Sequence, residues 1–108
     1  MGAKSTRKGK VGELEVASLL REHGIEARRG RQYQGGPDSP DVQCELPGWH
    51  LEVKRVETFS LYPALEQAQE EAPGGCKAVV FHRRSRKGWV VVLRAEDFIE
   101  LVNRKDGY

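Results

Sequence analysis

The chain has 108 residues, 38% of them hydrophobic and 31% charged, which is room for one compact domain and too little for two ordinary ones. The 18 Lys and Arg against 16 Asp and Glu give a formal net charge of +2, an average that neither demands nor excludes a nucleic-acid partner. No stretch approaches the roughly 18 apolar residues of a membrane span, and the opening MGAKSTRKGK lacks the apolar run of a secretory signal; a soluble, cytoplasmic protein with no membrane partner is expected.

Residues 1–10 carry Lys4, Arg7, Lys8 and Lys10 with no acid, and their Gly and Ser content predicts a basic, non-helical arm. From Val11 to His23 the apolar positions Val11, Leu14, Val16, Ala17, Leu19 and Leu20 mark an amphipathic helix, closed by Gly24 at a C-cap position. Ile25 to Arg31 alternates as a strand does, and Gln32 to Pro40, with two Gly and two Pro, reads as a loop. Asp41–Glu45 and Trp49–Val56 flank Leu46-Pro47-Gly48, the pattern of two antiparallel strands joined by a Pro-Gly turn. Pro63 suits the first turn of a second helix, which runs to about Ala72 and is stopped by Pro73-Gly74-Gly75. Lys77–His82 and Trp89–Leu93 are two more strands around a basic turn, and Ala95–Asn103 is a final short helix. The order is αβββαββα, a single mixed α/β domain over 1–108.

Cys44 and Cys76 are far apart, with no CxxC and no Cys/His cluster, and read as two reduced, buried thiols. His23, His50 and His82 are scattered, and none has metal-ligand spacing.

The chemistry-bearing set is Asp41 and, across the predicted hairpin, Glu52-Val53-Lys54. Residues two apart in a strand share a face, so Glu52 and Lys54 project together. With the turn centred near Pro47-Gly48, Asp41 falls opposite Lys54 and beside Glu52, within cross-strand reach. Two carboxylates and one ammonium suit Mg²⁺-assisted phosphodiester hydrolysis: the cation takes carboxylates, waters and a phosphate oxygen, and a lysine can orient water or neutralise developing charge. A cross-strand salt bridge on a solvated sheet face would use the same residue types. Glu13 adds a further carboxylate. At about 100° per residue it projects into the apolar arc of Leu14, Val16, Ala17 and Leu20, whereas Glu15 projects to the opposite, polar side. An inward carboxylate needs a partner; a metal site would supply one, and so would the first-turn N–H groups of the helix.

Arg7-Lys8-Gly9, Glu13 leading an amphipathic helix, then Asp41 and Glu52-Val53-Lys54 on a hairpin together resemble the PD-(D/E)xK nuclease superfamily, and within it the archaeal-type Holliday junction resolvases, which also occur in phage-encoded versions. The likeness spans most of the chain. It implies a restriction-endonuclease-like core, a central mixed β-sheet flanked by helices, and a homodimeric Mg²⁺-dependent endodeoxyribonuclease in which Mn²⁺ substitutes. The substrate it implies is branched double-stranded DNA, a four-way junction resolved by paired phosphodiester nicks in DNA recombination or repair, in a bacterial, archaeal or phage-infected cell. Carried over by position, it makes Asp41 and Glu52 metal ligands, Lys54 the catalytic lysine, and Glu13 the helix carboxylate completing the metal site. Asp38, in Pro37-Asp38, is the rival to Asp41 but sits in the Gly/Pro loop. Gln67 and Gln69 are further candidates on which two arguments disagree: helical phase favours Gln69, and the Glu66-Gln67-Ala68 string favours Gln67.

Three basic clusters are candidates for phosphate contact: Arg7, Lys8 and Lys10 in the arm; Arg28, Arg29 and Arg31 around the first strand; and Arg83, Arg84, Arg86 and Lys87 in the last hairpin turn. Paired nicking needs two sites about a two-fold axis, so a chain with one site implies a homodimer. Phe59, Leu61, Tyr62, Trp89 and Phe98 are candidate interface residues, and ordinary core packing is the competing explanation. Alternatives in function are another PD-(D/E)xK nuclease, acting on forks, flaps or mismatches, and a non-catalytic DNA-binding module.

Overall fold

The computed structural model describes residues 2–30, 42–44 and 46–104. Its elements are α1 (Gly2–Glu22), β1 (Ala27–Arg29), β2 (Val42–Cys44), β3 (Trp49–Arg55), α2 (Leu61–Glu71), β4 (Lys77–Arg83), β5 (Val90–Val92) and α3 (Ala95–Asn103). The predicted order αβββαββα is the observed one.

α1 departs from expectation at its start. The backbone is helical from Gly2, so the predicted arm is the first half of a 21-residue helix. Once the amphipathic half is nucleated, each added residue costs little, and Ala and Lys are good helix formers that offset the roughly 1 kcal/mol cost of each interior Gly. The helix ends as expected. Gly24 takes φ +86°, and the Ile25 N–H donates to the Leu20 carbonyl at 2.9 Å, satisfying an end carbonyl.

β1 and β2 form an antiparallel pair with Ala27 opposite Cys44. β3 pairs in parallel with β4, Glu52 beside Val80 and Lys54 beside His82, and β5 pairs antiparallel with β4. The expected antiparallel hairpin of β2 and β3 is not what the ladders show. Among the described residues β2 is bonded to β1 and merely packs beside β3, while β3 takes its ladder partner from β4. The Pro47-Gly48 turn itself is present, with Gly48 at φ +89° and the Trp49 N–H donating to the Leu46 carbonyl at 3.1 Å. A parallel β3–β4 pair requires a crossover, and α2 supplies it.

The two faces of β3 therefore have different neighbours. Leu51 joins Val16, Ala17 and Leu20 of α1, with Ala27, Val42 and Val79, in one core. Ala64, Leu65 and Ala68 of α2 pack on Ala78 and Val80 in a second core on the other face. Strand alternation then assigns His50, Glu52 and Lys54 to the α2 side. The approach of α1 is close: a Cβ built at Gly12 would lie 2.8 Å from Arg55 Cβ and 3.4 Å from Val53 Cγ1. α2 begins at Leu61, which puts Pro63 in its first turn as expected, where its missing N–H costs nothing. α3 has the predicted bounds and carries Glu96 and Asp97 in its first turn, favourable at the positive end of the dipole. Among the described residues no helix is long and apolar enough to cross a membrane.

Candidate active site

β3 carries His50, Glu52 and Lys54 at alternate positions, all turned toward α2. His50 and Glu52 are almost fully buried, at 2% and 5% relative exposure. His50 Nε2 and Glu52 Oε2 are 2.6 Å apart, a short, buried contact of the kind that fixes a carboxylate's orientation. Lys54 Nζ donates to Gln67 Oε1 at 3.3 Å, and Gln67 Nε2 donates to Glu71 Oε2 at 3.1 Å. Gln67 and Glu71 are one helical turn apart on one face of α2, so a single helix face meets the face of β3 that carries His50, Glu52 and Lys54. One ligand atom each from His50, Glu52 and Glu71 lie within 4.8 Å of one another. Oxygen donors with one imidazole are a donor set that fits a divalent cation.

The rivalry between Gln67 and Gln69 is resolved by contact. Gln67 touches Lys54, while Gln69 lines a separate cavity of about 470 Å³ with Cys76, Lys77, Arg94 and Asp97. His50, set aside on spacing, and Glu71, not considered on sequence, are the two members of this group that the sequence reading missed. The period-2 rule that joins Glu52 to Lys54 also joins His50 to Glu52. Glu71 becomes a neighbour only when α2 docks, and no local pattern reports that.

Glu13 is buried, at 9% exposure, and accepts from Arg29 Nε at 2.6 Å. It lies well inside α1, not in its first turn, which removes the helix N-terminal N–H groups as its partners. It is not one of the three residues whose donor atoms cluster. Asp41 and its rival Asp38 lie outside the described residues, so the cross-strand placement of Asp41 against Lys54 does too.

Glu15 corrects a second expectation. Instead of facing solvent it is half-buried and accepts from Arg83 Nη1 at 2.8 Å and from Trp89 Nε1 at 3.2 Å. The β4–β5 hairpin reaches back to α1, and helical phase alone cannot anticipate a neighbour so distant in sequence. Two of the predicted DNA-facing arginines, Arg29 and Arg83, are thus engaged in internal ion pairs. Arg84, Arg86 and Lys87 stand exposed in the hairpin turn, and Lys10 is exposed on α1. Arg31 and the side chains of Arg7 and Lys8 lie outside the described residues.

The fold has a counterpart among solved structures. The chain is similar to Hjc, a Holliday junction resolvase of the hyperthermophilic archaeon Archaeoglobus fulgidus, with a TM-score of 0.55 and 24% sequence identity over 75% of this chain and 72% of that one. The fold is resolvase-like. No protein-family model matches the chain, and no curated protein does. The expected fold class is therefore the observed one, and β3, which among the described residues pairs with β4 alone, carries Glu52 and Lys54.

Of the proposed interface residues, Phe59 is stacked on His82 with ring centroids 4.0 Å apart, and Trp89 packs against the α1 core; both belong to the interior. Leu61, Tyr62 and Phe98 are exposed. Phe98 has company: Val90, Val91, Ile99, Leu101 and Val102 are exposed beside it on β5 and α3. Val91, Phe98 and Leu101 also line an apolar groove of about 370 Å³ with Trp49, Leu51 and Phe81. Cys76 is a free, half-buried thiol, and the Cys44 side chain lies outside the described residues.

Proposed function

We propose that the chain is a Mg²⁺-dependent endodeoxyribonuclease that resolves four-way DNA junctions by paired nicks, working as a homodimer. The observation that carries this reading is the presentation of Glu52 and Lys54 on one face of β3, with Lys54 held by Gln67 of α2, in a fold similar to that of a Holliday junction resolvase. Glu52, Asp41 and Glu13 are the proposed metal-holding carboxylates, and Lys54 the proposed catalytic amine. When bound, the cation would polarise the phosphate and acidify a water, with Mn²⁺ able to replace Mg²⁺.

The other steps belong to the chain itself. Glu52 is buried and braced by His50, so its carboxylate is presented in one orientation. The Lys54 ammonium, supported by Gln67, orients the attacking water and offsets the negative charge that grows on the phosphate oxygens. Arg84, Arg86 and Lys87 of the hairpin turn, together with Arg7, Lys8 and Lys10 of α1, supply phosphate contacts that do not depend on sequence. Arg29, Arg31 and Arg83 belong to the same proposed surface; for Arg29 and Arg83 their carboxylate partners leave N–H groups over for phosphate. The exposed apolar face of β5 and α3 is the proposed dimer contact, the feature that would bring a second active site to the other side of a junction.

The test is incubation of the purified chain with labelled four-way junction, linear duplex and single-stranded DNA, with and without Mg²⁺. Selective metal-dependent cutting of the junction is the expected result. Equal cutting of all three would remove the resolvase assignment and keep the nuclease, and no metal-dependent cutting of any would overturn both.

A further inference from the structure

Beside Glu52 and Lys54 lie an imidazole, so far only a brace for Glu52, and a second carboxylate with no role in the proposed cleavage. His50 Nε2 is 2.6 Å from Glu52 Oε2, and Glu71, arriving from α2, brings its own oxygen within 4.8 Å of both. A cation with ligands at about 2.1 Å has donor atoms about 3 Å apart when adjacent and about 4.2 Å apart when opposite. The observed spread matches a set that closes on an ion by small rotamer shifts. Two carboxylates at this separation, one of them almost fully buried, repel one another, and a divalent ion between them converts that repulsion into attraction. Gln67 Oε1 accepts from Lys54 Nζ. Gln67 in turn bonds one oxygen of Glu71 and leaves the other for a ligand.

We propose that His50, Glu52 and Glu71 form a divalent-cation position with one imidazole and two carboxylate donors, selective for a first-row transition ion such as Mn²⁺ over Mg²⁺. The selectivity follows from the imidazole. Mg²⁺ favours oxygen ligands and keeps its waters, whereas imidazole nitrogen suits transition ions. This position shares Glu52 with the proposed nuclease centre and rests on that reading for the use made of the cation; the binding itself does not require it.

The test titrates Mn²⁺ and Mg²⁺ separately into the full chain by calorimetry, with pulsed paramagnetic resonance of bound Mn²⁺ as the second readout. The wild type is expected to bind Mn²⁺ more tightly than Mg²⁺ and to show coupling to a directly bound nitrogen. His50→Gln should abolish that coupling, and Glu71→Gln, at a half-buried position where folding is not at stake, should weaken Mn²⁺ binding by roughly tenfold or more. Absence of nitrogen coupling in the wild type, or unchanged Mn²⁺ affinity in Glu71→Gln, overturns the proposal. A chain that cuts junctions without nitrogen coupling contradicts this position alone; one that binds Mn²⁺ through nitrogen but cuts no DNA contradicts the nuclease reading alone.

Discussion

Gln67 Oε1 accepts a hydrogen bond from Lys54 Nζ at 3.3 Å, so the side chain proposed to act on the phosphate is held by a helix and not by its own strand. A lysine on a free four-carbon stem samples many rotamers; the amide restricts them. Removing one such bond is worth about 0.5–1.5 kcal/mol, or roughly 2- to 13-fold in a rate constant. Gln67→Ala is expected to slow single-turnover junction cleavage by that factor at saturating enzyme while junction affinity stays unchanged. A parallel loss of affinity would place Gln67 in DNA binding instead of lysine positioning.

The approach of α1 to β3 depends on Gly12, where an added Cβ would meet Arg55 Cβ at 2.8 Å. Gly12→Val should therefore destabilise the fold by about 1–3 kcal/mol through overpacking. Gly9 is the internal control. It lies in the same helix with nothing within 4 Å of its built Cβ, so Gly9→Ala should stabilise by up to about 1 kcal/mol through helix propensity alone. Urea midpoints of the two variants should move in opposite directions.

Arg86 occupies φ +64° in the turn between β4 and β5, a left-handed conformation that costs a non-glycine residue about 1 kcal/mol or more. A residue suited to its backbone would be Gly, yet the position carries an exposed positive charge. Arg86→Gly should raise stability by about 1 kcal/mol and reduce the salt dependence of DNA binding by about one phosphate contact. Measuring both on the same variant separates a turn residue from a DNA contact: unchanged salt dependence would leave Arg86 a turn residue.

The apolar face of β5 and α3 sets up a fourth outcome. Phe98, at 54% exposure, borders the groove lined by Val91 and Leu101. Phe98→Asp would place a charge in any contact formed there, and should convert a dimer to monomer in sedimentation velocity while leaving the thermal transition of the protomer near its original midpoint. Cleavage of a junction by the monomer should then give single nicks in place of paired ones. A wild type that sediments as a monomer would contradict the dimer directly.

Elements governed by local pattern were legible in the sequence. Val16, Ala17 and Leu20 have helical spacing and form the α1 core, Gly24 and Pro73 end their helices, and the period of two places Glu52 with Lys54. What escaped depends on contacts between distant segments. The parallel pairing of β3 with β4 is decided by where α2 carries the chain, and the two strands look alike in sequence whichever neighbour they take. The same is true of Glu15, drawn out of solvent by Arg83 and Trp89 of a hairpin far along the chain, and of Arg29, which pairs with Glu13. A basic cluster in sequence gives charge but not its direction. The helical start of α1 is hidden for another reason: Gly2, Ser5 and Gly9 are poor helix formers locally, whereas a helix already nucleated at its apolar half extends through them.

The central claim is that Glu52 and Lys54 on β3 perform metal-dependent cleavage of a branched DNA. The most direct measurement is single-turnover cleavage of an end-labelled four-way junction in Mg²⁺ by wild type, Glu52→Gln and Lys54→Met, with junction affinity measured alongside. The expected result is paired nicks by wild type and a loss of cleavage of at least about 100-fold in each variant at near-normal junction affinity. Wild-type levels of cleavage by either variant, or a fall in affinity that accounts for the whole loss, would contradict it.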